Sequence, residues 1–210
     1  MAEVTTLFWD LGGVILTNGW DRAARRQAAE YFRLDWDEFE DRHELVLNAF
    51  ETGELSLSDY LQRTVFYRER PFTRADFRKF MFGCSQPYPE SLELLGELAA
   101  RKTFFMAALN NESAEINEYR IRTFHLRTYF EAFFSSCYLG VRKPDAGIYQ
   151  RALSITQREP SECIFIDDRG LNLECAKELG MRTIHFRDAN QLREALAEYG
   201  VLSPARQPGG

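Results

Sequence analysis

Short apolar runs alternate with longer amphipathic stretches along most of the chain, and this alternation predicts its elements. Five runs have strand character and end in polar or glycine-containing loops: Thr5 to Trp9, Phe104 to Leu109, Ala132 to Ser135, Cys163 to Ile166 and Arg182 to Phe186. Between the later runs, apolar residues recur at spacings of three and four over Glu90 to Arg101, Glu112 to Thr128, Asp145 to Ile155, Leu171 to Leu179 and Asn190 to Tyr199. That period gives a helix one buried face. Strands that are almost continuously apolar and alternate with helices pack as a parallel sheet covered on both sides. The expected fold is α/β: a Rossmann-like, doubly wound, parallel five-stranded sheet.

One stretch breaks the alternation. From about Trp20 to Cys84 there is no strand pattern, only helical text over Asp21 to Phe32, Asp35 to Phe50, Leu57 to Tyr67 and Thr73 to Phe82. Glycine and proline punctuate it at Thr52-Gly53 and Arg70-Pro71, and Ser56 and Thr73 stand where helix N-caps belong. This predicts an inserted subdomain of about four short helices at residues 17–86, with the α/β core at 1–16 and 87–202. The Pro- and Gly-rich residues 203–210 have no apolar anchor and are expected to fray. The Thr52-Gly53 break fits either a plain helix junction or a loop that reaches a site below it.

Composition narrows the function classes. The chain has 210 residues, 45% of them apolar, and a formal net charge of −6, with Lys and Arg scattered among Asp and Glu. No basic stripe exists, which argues against nucleic acid. No apolar run approaches the roughly 18 residues of a bilayer span, and Met1-Ala2-Glu3 lacks a cationic leader pattern, so a cytoplasmic protein without membrane contact is expected. Cys84, Cys137, Cys163 and Cys175 form no C-x-x-C pair and are expected to stay thiols. His43, His125 and His185 lie far apart without a zinc or nucleophile-elbow pattern, and each reads as structural. Monomer and homodimer both remain open.

Candidate chemistry lies at the strand ends, because ligands of open parallel sheets bind beyond the carboxyl ends of the strands. The first strand ends in Asp10-Leu11-Gly12-Gly13-Val14, the second in Asn110-Asn111 and the fourth in Asp167-Asp168, while Lys143-Pro144 follows the third. Together these supply what phosphoryl transfer needs: a carboxylate nucleophile, further carboxylates for Mg²⁺, a lysine to balance charge and donors for phosphate oxygens.

At these residues the chain resembles the haloacid dehalogenase-like superfamily. Phe8 to Val14 is similar to its first motif, Leu109-Asn110-Asn111 to the second, Arg142-Lys143-Pro144-Asp145 to the third, and Phe165-Ile166-Asp167-Asp168 with Asn172 to the fourth. The insertion after the first motif matches the family's C1 helical cap. The resemblance implies a hydrolase acting on a small phosphorylated metabolite, with Asp10 attacking phosphorus to give an aspartyl-phosphate. It further implies Mg²⁺ held by Asp10, the Gly12 carbonyl and Asp168, with Asp167 and Asn172 behind them. Lys143 would neutralise Asp10 and a phosphate oxygen. Asn110, Asn111 and the backbone of Gly12 and Gly13 would grip the phosphoryl group. Trp20, just past the first loop, is the expected substrate contact.

Two departures bear on the activity. Phosphatases of this family usually have an acid two residues after the nucleophile, where Gly12 stands here, though some relatives with this D-L-G start are phosphatases, and Asn110 occupies a place usually held by Ser or Thr. General acid–base help is worth roughly 10²–10⁴-fold. Gly12 therefore leaves two alternatives beside a phosphatase: a 2-haloacid dehalogenase, whose halide needs no proton, and an inactive binding protein that keeps the fold.

Overall fold

A computed structural model describes residues 2–202; the stretch 203–210, expected to fray, lies outside the described residues. Five strands form one parallel sheet in the order β3-β2-β1-β4-β5: β1 (Thr6–Trp9), β2 (Phe105–Asn110), β3 (Ala132–Ser135), β4 (Cys163–Asp167) and β5 (Arg182–His185). Every residue of β1 is buried, as a central strand covered on two faces must be. Alternate side chains serve two cores. Leu7 and Trp9 point with Ile164 and Ile166 to the side of α5 (Pro89–Arg101) and α10 (Ala189–Glu198). Phe8 and Phe165 face α8 (Ala146–Thr156) and α9 (Gly170–Glu178). The sheet is thus doubly wound.

The insertion folds as four helices: α1 (Arg22–Phe32), α2 (Trp36–Glu51), α3 (Leu57–Thr64) and α4 (Arg74–Gly83). Asp21, Asp35, Ser56 and Thr73 cap them, each side chain accepting a backbone N–H of the first turn. Phe39, Phe50, Tyr60 and Phe77 build a separate apolar core between the helices, with Phe50 stacked on Tyr60 at 4.1 Å between ring centroids. The chain leaves the sheet domain at Leu16 and returns at Pro87, which pair as an isolated bridge, while the Thr17 N–H donates to the Gln86 carbonyl at 2.8 Å. Two adjacent strands of chain therefore join the cap to the sheet.

Two helices differ from the sequence pattern. The expected helix over Glu112 to Thr128 is shorter, α6 (Ala114–Thr123), followed by a 3-10 turn at Leu126–Thr128, because His125 takes a left-handed conformation that ends the α-helix. A single turn, α7 (Ser136–Leu139), follows β3 and has no sequence signature. Among the described residues no helix is long and apolar enough to cross a membrane.

Candidate active site

Asp10 sits at the carboxyl end of the central strand, and its N–H continues the ladder to the Ile166 carbonyl at 2.8 Å. Because Trp9 is in register with Ile166 of β4, Asp10 lies level with Asp167. Ligand oxygens of Asp10, Asp167 and Asp168 all lie within 4.8 Å of one another. Lys143, 1% exposed, places its ammonium 2.6 Å from Asp167 Oδ2 and 3.0 Å from Asp10 Oδ1. Burial works against its charge, but the two carboxylates outweigh it and hold the Lys143 pKa above its ordinary range. Burial, with Asp167 and Asp168 adding and Lys143 opposing, pushes Asp10 up to about 7.

The two acids of the Asp167-Asp168 pair are used differently. Asp167 is saturated: Lys143 donates to Oδ2, Asn172 donates to both oxygens at 3.0 Å, and the Arg169 N–H donates to Oδ1 at 2.8 Å. Asp168 Oδ1 is buried without a hydrogen-bond partner, and burial together with Asp167 raises the Asp168 pKa. A buried carboxylate oxygen left unpaired is costly, and a bound cation would relieve it. The donor set fits Mg²⁺, which takes carboxylate and carbonyl oxygens.

The Asp10 loop closes tightly around this corner. The N–H groups of Val14, Ile15 and Leu16 all point to the Leu11 carbonyl and that of Gly13 points to Leu16, so the Gly12 carbonyl takes none of these turn bonds. Gly13 has φ +77°, and a Cβ there would lie 2.3 Å from Asp168 Oδ2. Only glycine lets the loop and Asp168 approach this closely.

Asn111 acts as a clamp: its amide donates to the Lys143 carbonyl at 2.9 Å and its oxygen accepts the Lys143 N–H at 2.8 Å. Asn110 is turned inward. It is fully buried; its amide donates to Asn117 at 3.1 Å and its oxygen accepts from Ser135 at 2.8 Å. Its side chain ties β2 to α6 and β3 and is not among the side chains that line the cavity.

Above Asp10 lies a cavity of about 340 Å³ between cap and sheet, whose only large apolar side chains are Trp20, Leu47 and Phe50. Trp20 borders it but is mainly a cap core residue, packed edge-on against Phe39 and Phe77, with its indole N–H donating to the Tyr60 hydroxyl at 2.8 Å. His43, read as structural, also borders the cavity and accepts from or donates to Tyr60 at 2.9 Å through Nδ1. Burial and the nearby Arg25 push its pKa down to about 3, so it is neutral.

Glu51, Glu112, Arg120, Arg142 and Arg169, given no site role from the sequence, also line the cavity. Adjacency was the available signal. Arg142 precedes Lys143, Arg169 follows the acid pair, Glu112 follows Asn111, and Glu51 sits at the Thr52-Gly53 break.

A family model described as haloacid dehalogenase-like hydrolase matches residues 4–180. Flavin mononucleotide hydrolase 1 of Arabidopsis thaliana is 31% identical over 77% of the chain, which spans 65% of that protein's length. D-ribitol-5-phosphate phosphatase of Bacteroides thetaiotaomicron is 22% identical over 92% of the chain and 97% of that protein. The fold is shared with a crystal structure of a family enzyme from the same bacterium in complex with magnesium and inorganic phosphate, with a TM-score of 0.74, 22% identity, and coverage of 88% of this chain and 94% of that one.

Proposed function

The chain belongs to the haloacid dehalogenase-like hydrolases, and within that family we propose that it is a magnesium-dependent phosphatase of small, polar phosphorylated metabolites that works through Asp10. The observation that carries this reading is the unpartnered Asp168 oxygen in a cluster of three carboxylates beside Lys143. Displacing halide from carbon needs no metal, so such a cluster would be surplus in a dehalogenase.

Asp10 and Asp168 with the Gly12 carbonyl would hold Mg²⁺, which when bound balances the charge of the phosphoryl oxygens. The free oxygen of Asp10 attacks phosphorus, forming an aspartyl-phosphate that water then hydrolyses. Lys143 spreads its positive charge over Asp10 and the incoming phosphate, and Asn111 keeps it there through two bonds to its backbone. Asp167 anchors the ammonium, and Asn172 holds Asp167.

The cavity wall supports a polar substrate. Arg22, Arg25 and Arg142 border it, and few apolar side chains do. Flavin mononucleotide and ribitol 5-phosphate, named for two relatives, both end in a phosphorylated ribityl chain. A phosphorylated polyol of that size is the substrate class this reading favours. The four cysteines are free thiols, which supports a reducing, cytoplasmic setting.

The test is a screen of phosphorylated metabolites with Mg²⁺ and with chelator, on the wild type and on Asp10→Asn. The reading expects phosphate release that needs Mg²⁺ and is lost in Asp10→Asn while the protein stays folded. Release of halide from 2-haloacids without metal would overturn it.

A further inference from the structure

Gly12 leaves the phosphatase reading without a group to protonate the departing oxygen, and the cavity holds five other carboxyl groups besides Asp10: Asp21, Glu40, Glu44, Glu51 and Glu112. Four of them are committed or turned to solvent. Asp21 caps α1 by accepting the Ala24 N–H at 2.8 Å. Glu40 takes two hydrogen bonds from Arg25 and one from Arg22, which hold its carboxyl below the usual range although burial opposes them. Glu44 is mostly exposed. Glu112 pairs with the buried Arg120 at 2.8 Å and accepts the Ser113 N–H at 2.9 Å.

Glu51 is different. Its Oε2 comes within 2.9 Å of Arg142 Nε, yet that N–H is not directed at it, and both atoms are buried without a well-formed hydrogen bond. The backbone around it is fixed. Ser136 Oγ donates to the Glu51 carbonyl at 2.6 Å, and Gly53 is pressed so closely on the sheet domain that a Cβ there would lie 2.3 Å from the Cys137 carbonyl oxygen. A carboxyl group is thus held by its main chain at the wall of the nucleophile's cavity, with its Oε2 beside Arg142 but not hydrogen-bonded to it.

We propose that Glu51, supplied by the cap, is the acid and base that serves the leaving group in place of the acid missing at Gly12. The proposal rests on the phosphatase reading above. As Asp10 Oδ forms its bond to phosphorus and the bond from phosphorus to the ester oxygen breaks, the Glu51 proton passes to that oxygen, which leaves as an alcohol. Glu51 carboxylate then takes a proton from water as the water oxygen bonds to phosphorus. The bond from Asp10 to phosphorus breaks, returning inorganic phosphate, Asp10 carboxylate and protonated Glu51. The groups around Glu51 set its protonation: burial raises its pKa and Glu112 adds to this, while Arg142, Arg169 and Lys143 oppose. The net direction is upward, as an acid working near neutral pH requires.

The experiment compares wild type, Glu51→Gln and Glu51→Asp on a polyol phosphate and on p-nitrophenyl phosphate, with Mg²⁺ throughout and folding checked by circular dichroism. An alkoxide leaves poorly without a proton and p-nitrophenolate leaves well. Glu51→Gln should therefore lose about 10²–10⁴-fold in kcat on the polyol phosphate, lose less than about threefold on the aryl ester, and lack the decline of kcat at high pH. Glu51→Asp should recover part of the loss. If Glu51→Gln lowers both substrates equally, or raises KM alone, Glu51 is a cap contact and the proposal is overturned. A wild type inactive on both substrates and across the metabolite screen would overturn the phosphatase reading itself.

Discussion

The raised pKa of Asp10 makes the stability of the metal-free protein depend on pH in a direction that can be worked out. Asp10 is 8% exposed and titrates at about 7 in the folded protein, against an ordinary 3.8. The folded protein therefore keeps a proton that the unfolded chain gives up between about pH 4 and 7. The stability this confers is complete below about pH 4 and is lost as pH rises through about 7. The rise from 3.8 to about 7 corresponds to roughly 4 kcal/mol at about 1.36 kcal/mol per pH unit, an upper figure because the buried Lys143 ammonium shares the charge of this carboxyl. Asp10→Asn cannot ionise, so in chelator its stability relative to wild type should climb by a few kcal/mol between pH 5 and pH 8. Mg²⁺ takes only the ionised carboxylate, so it should stabilise wild type most at the high-pH end and should hardly stabilise the variant. Urea unfolding of both proteins at half-unit pH steps, with EDTA and with Mg²⁺, measures all four curves. A difference between wild type and variant that stays flat from pH 5 to pH 8 in EDTA would refute the reasoning.

Three further outcomes are expected. Gly13→Ala places a Cβ 2.3 Å from Asp168 Oδ2 at φ +77°; it should cost on the order of 1–3 kcal/mol in stability and weaken Mg²⁺ binding, measured by unfolding and by calorimetric titration. Asn110→Ala removes the partner of Asn117 and Ser135 and should cost about 1–3 kcal/mol, with KM for the phosphorylated substrate unchanged; a raised KM at equal stability would restore Asn110 to the phosphate site. His43, lowered from 6.5 to about 3 by burial first and Arg25 second, resists a proton the unfolded chain accepts, so stability present above pH 6.5 falls on acidification, by about 2 kcal/mol at pH 5. His43→Gln should lose that part of the acid slope in the same unfolding series.

What the sequence disclosed follows from what each residue does alone. Leu7-Phe8-Trp9 and Cys163 to Ile166 read as strands because both faces of a central parallel strand are buried, which leaves no polar position to disturb the run. Asp10, Lys143 and Asp168 were legible because each follows directly on such a run or on its loop, and the sheet order brings those ends together. The inward turn of Asn110 was hidden. Its partners Asn117 and Ser135 come from α6 and β3 and meet it only once β2 is paired between its neighbours. Glu51 was hidden for the same reason: its place in the cavity depends on how the end of α2 docks on the turn after β3, a contact between distant parts of the chain. The four-residue α7 shows no period because one turn is too short to display any.

Arg120 links the cap to the surroundings of Asp10. It rises from α6, is 1% exposed, and uses its whole fork: Nε donates to Ser85 Oγ at 3.0 Å, Nη2 donates to the Asn18 carbonyl at 2.9 Å, and Nη1 pairs with Glu112 at 2.8 Å. Ser85 and Asn18 belong to the two chain segments that join cap and sheet, and Glu112 follows Asn111, which clamps Lys143. A buried guanidinium is expensive unless each face of it is matched, and an apolar side chain of similar volume would fill this space at lower desolvation cost. Such a side chain could not fasten two linkers and the loop after β2 at once. Opening the cap by pivoting at Asn18 and Ser85 must stretch bonds to Arg120, and through Glu112 and Asn111 the same strain bears on the lysine that balances Asp10. Hydrogen bonds of Arg120 to the linkers, its ion pair with Glu112, and the bonds of the next residue, Asn111, to the Lys143 backbone therefore tie the hinge of the cap to the lysine beside Asp10.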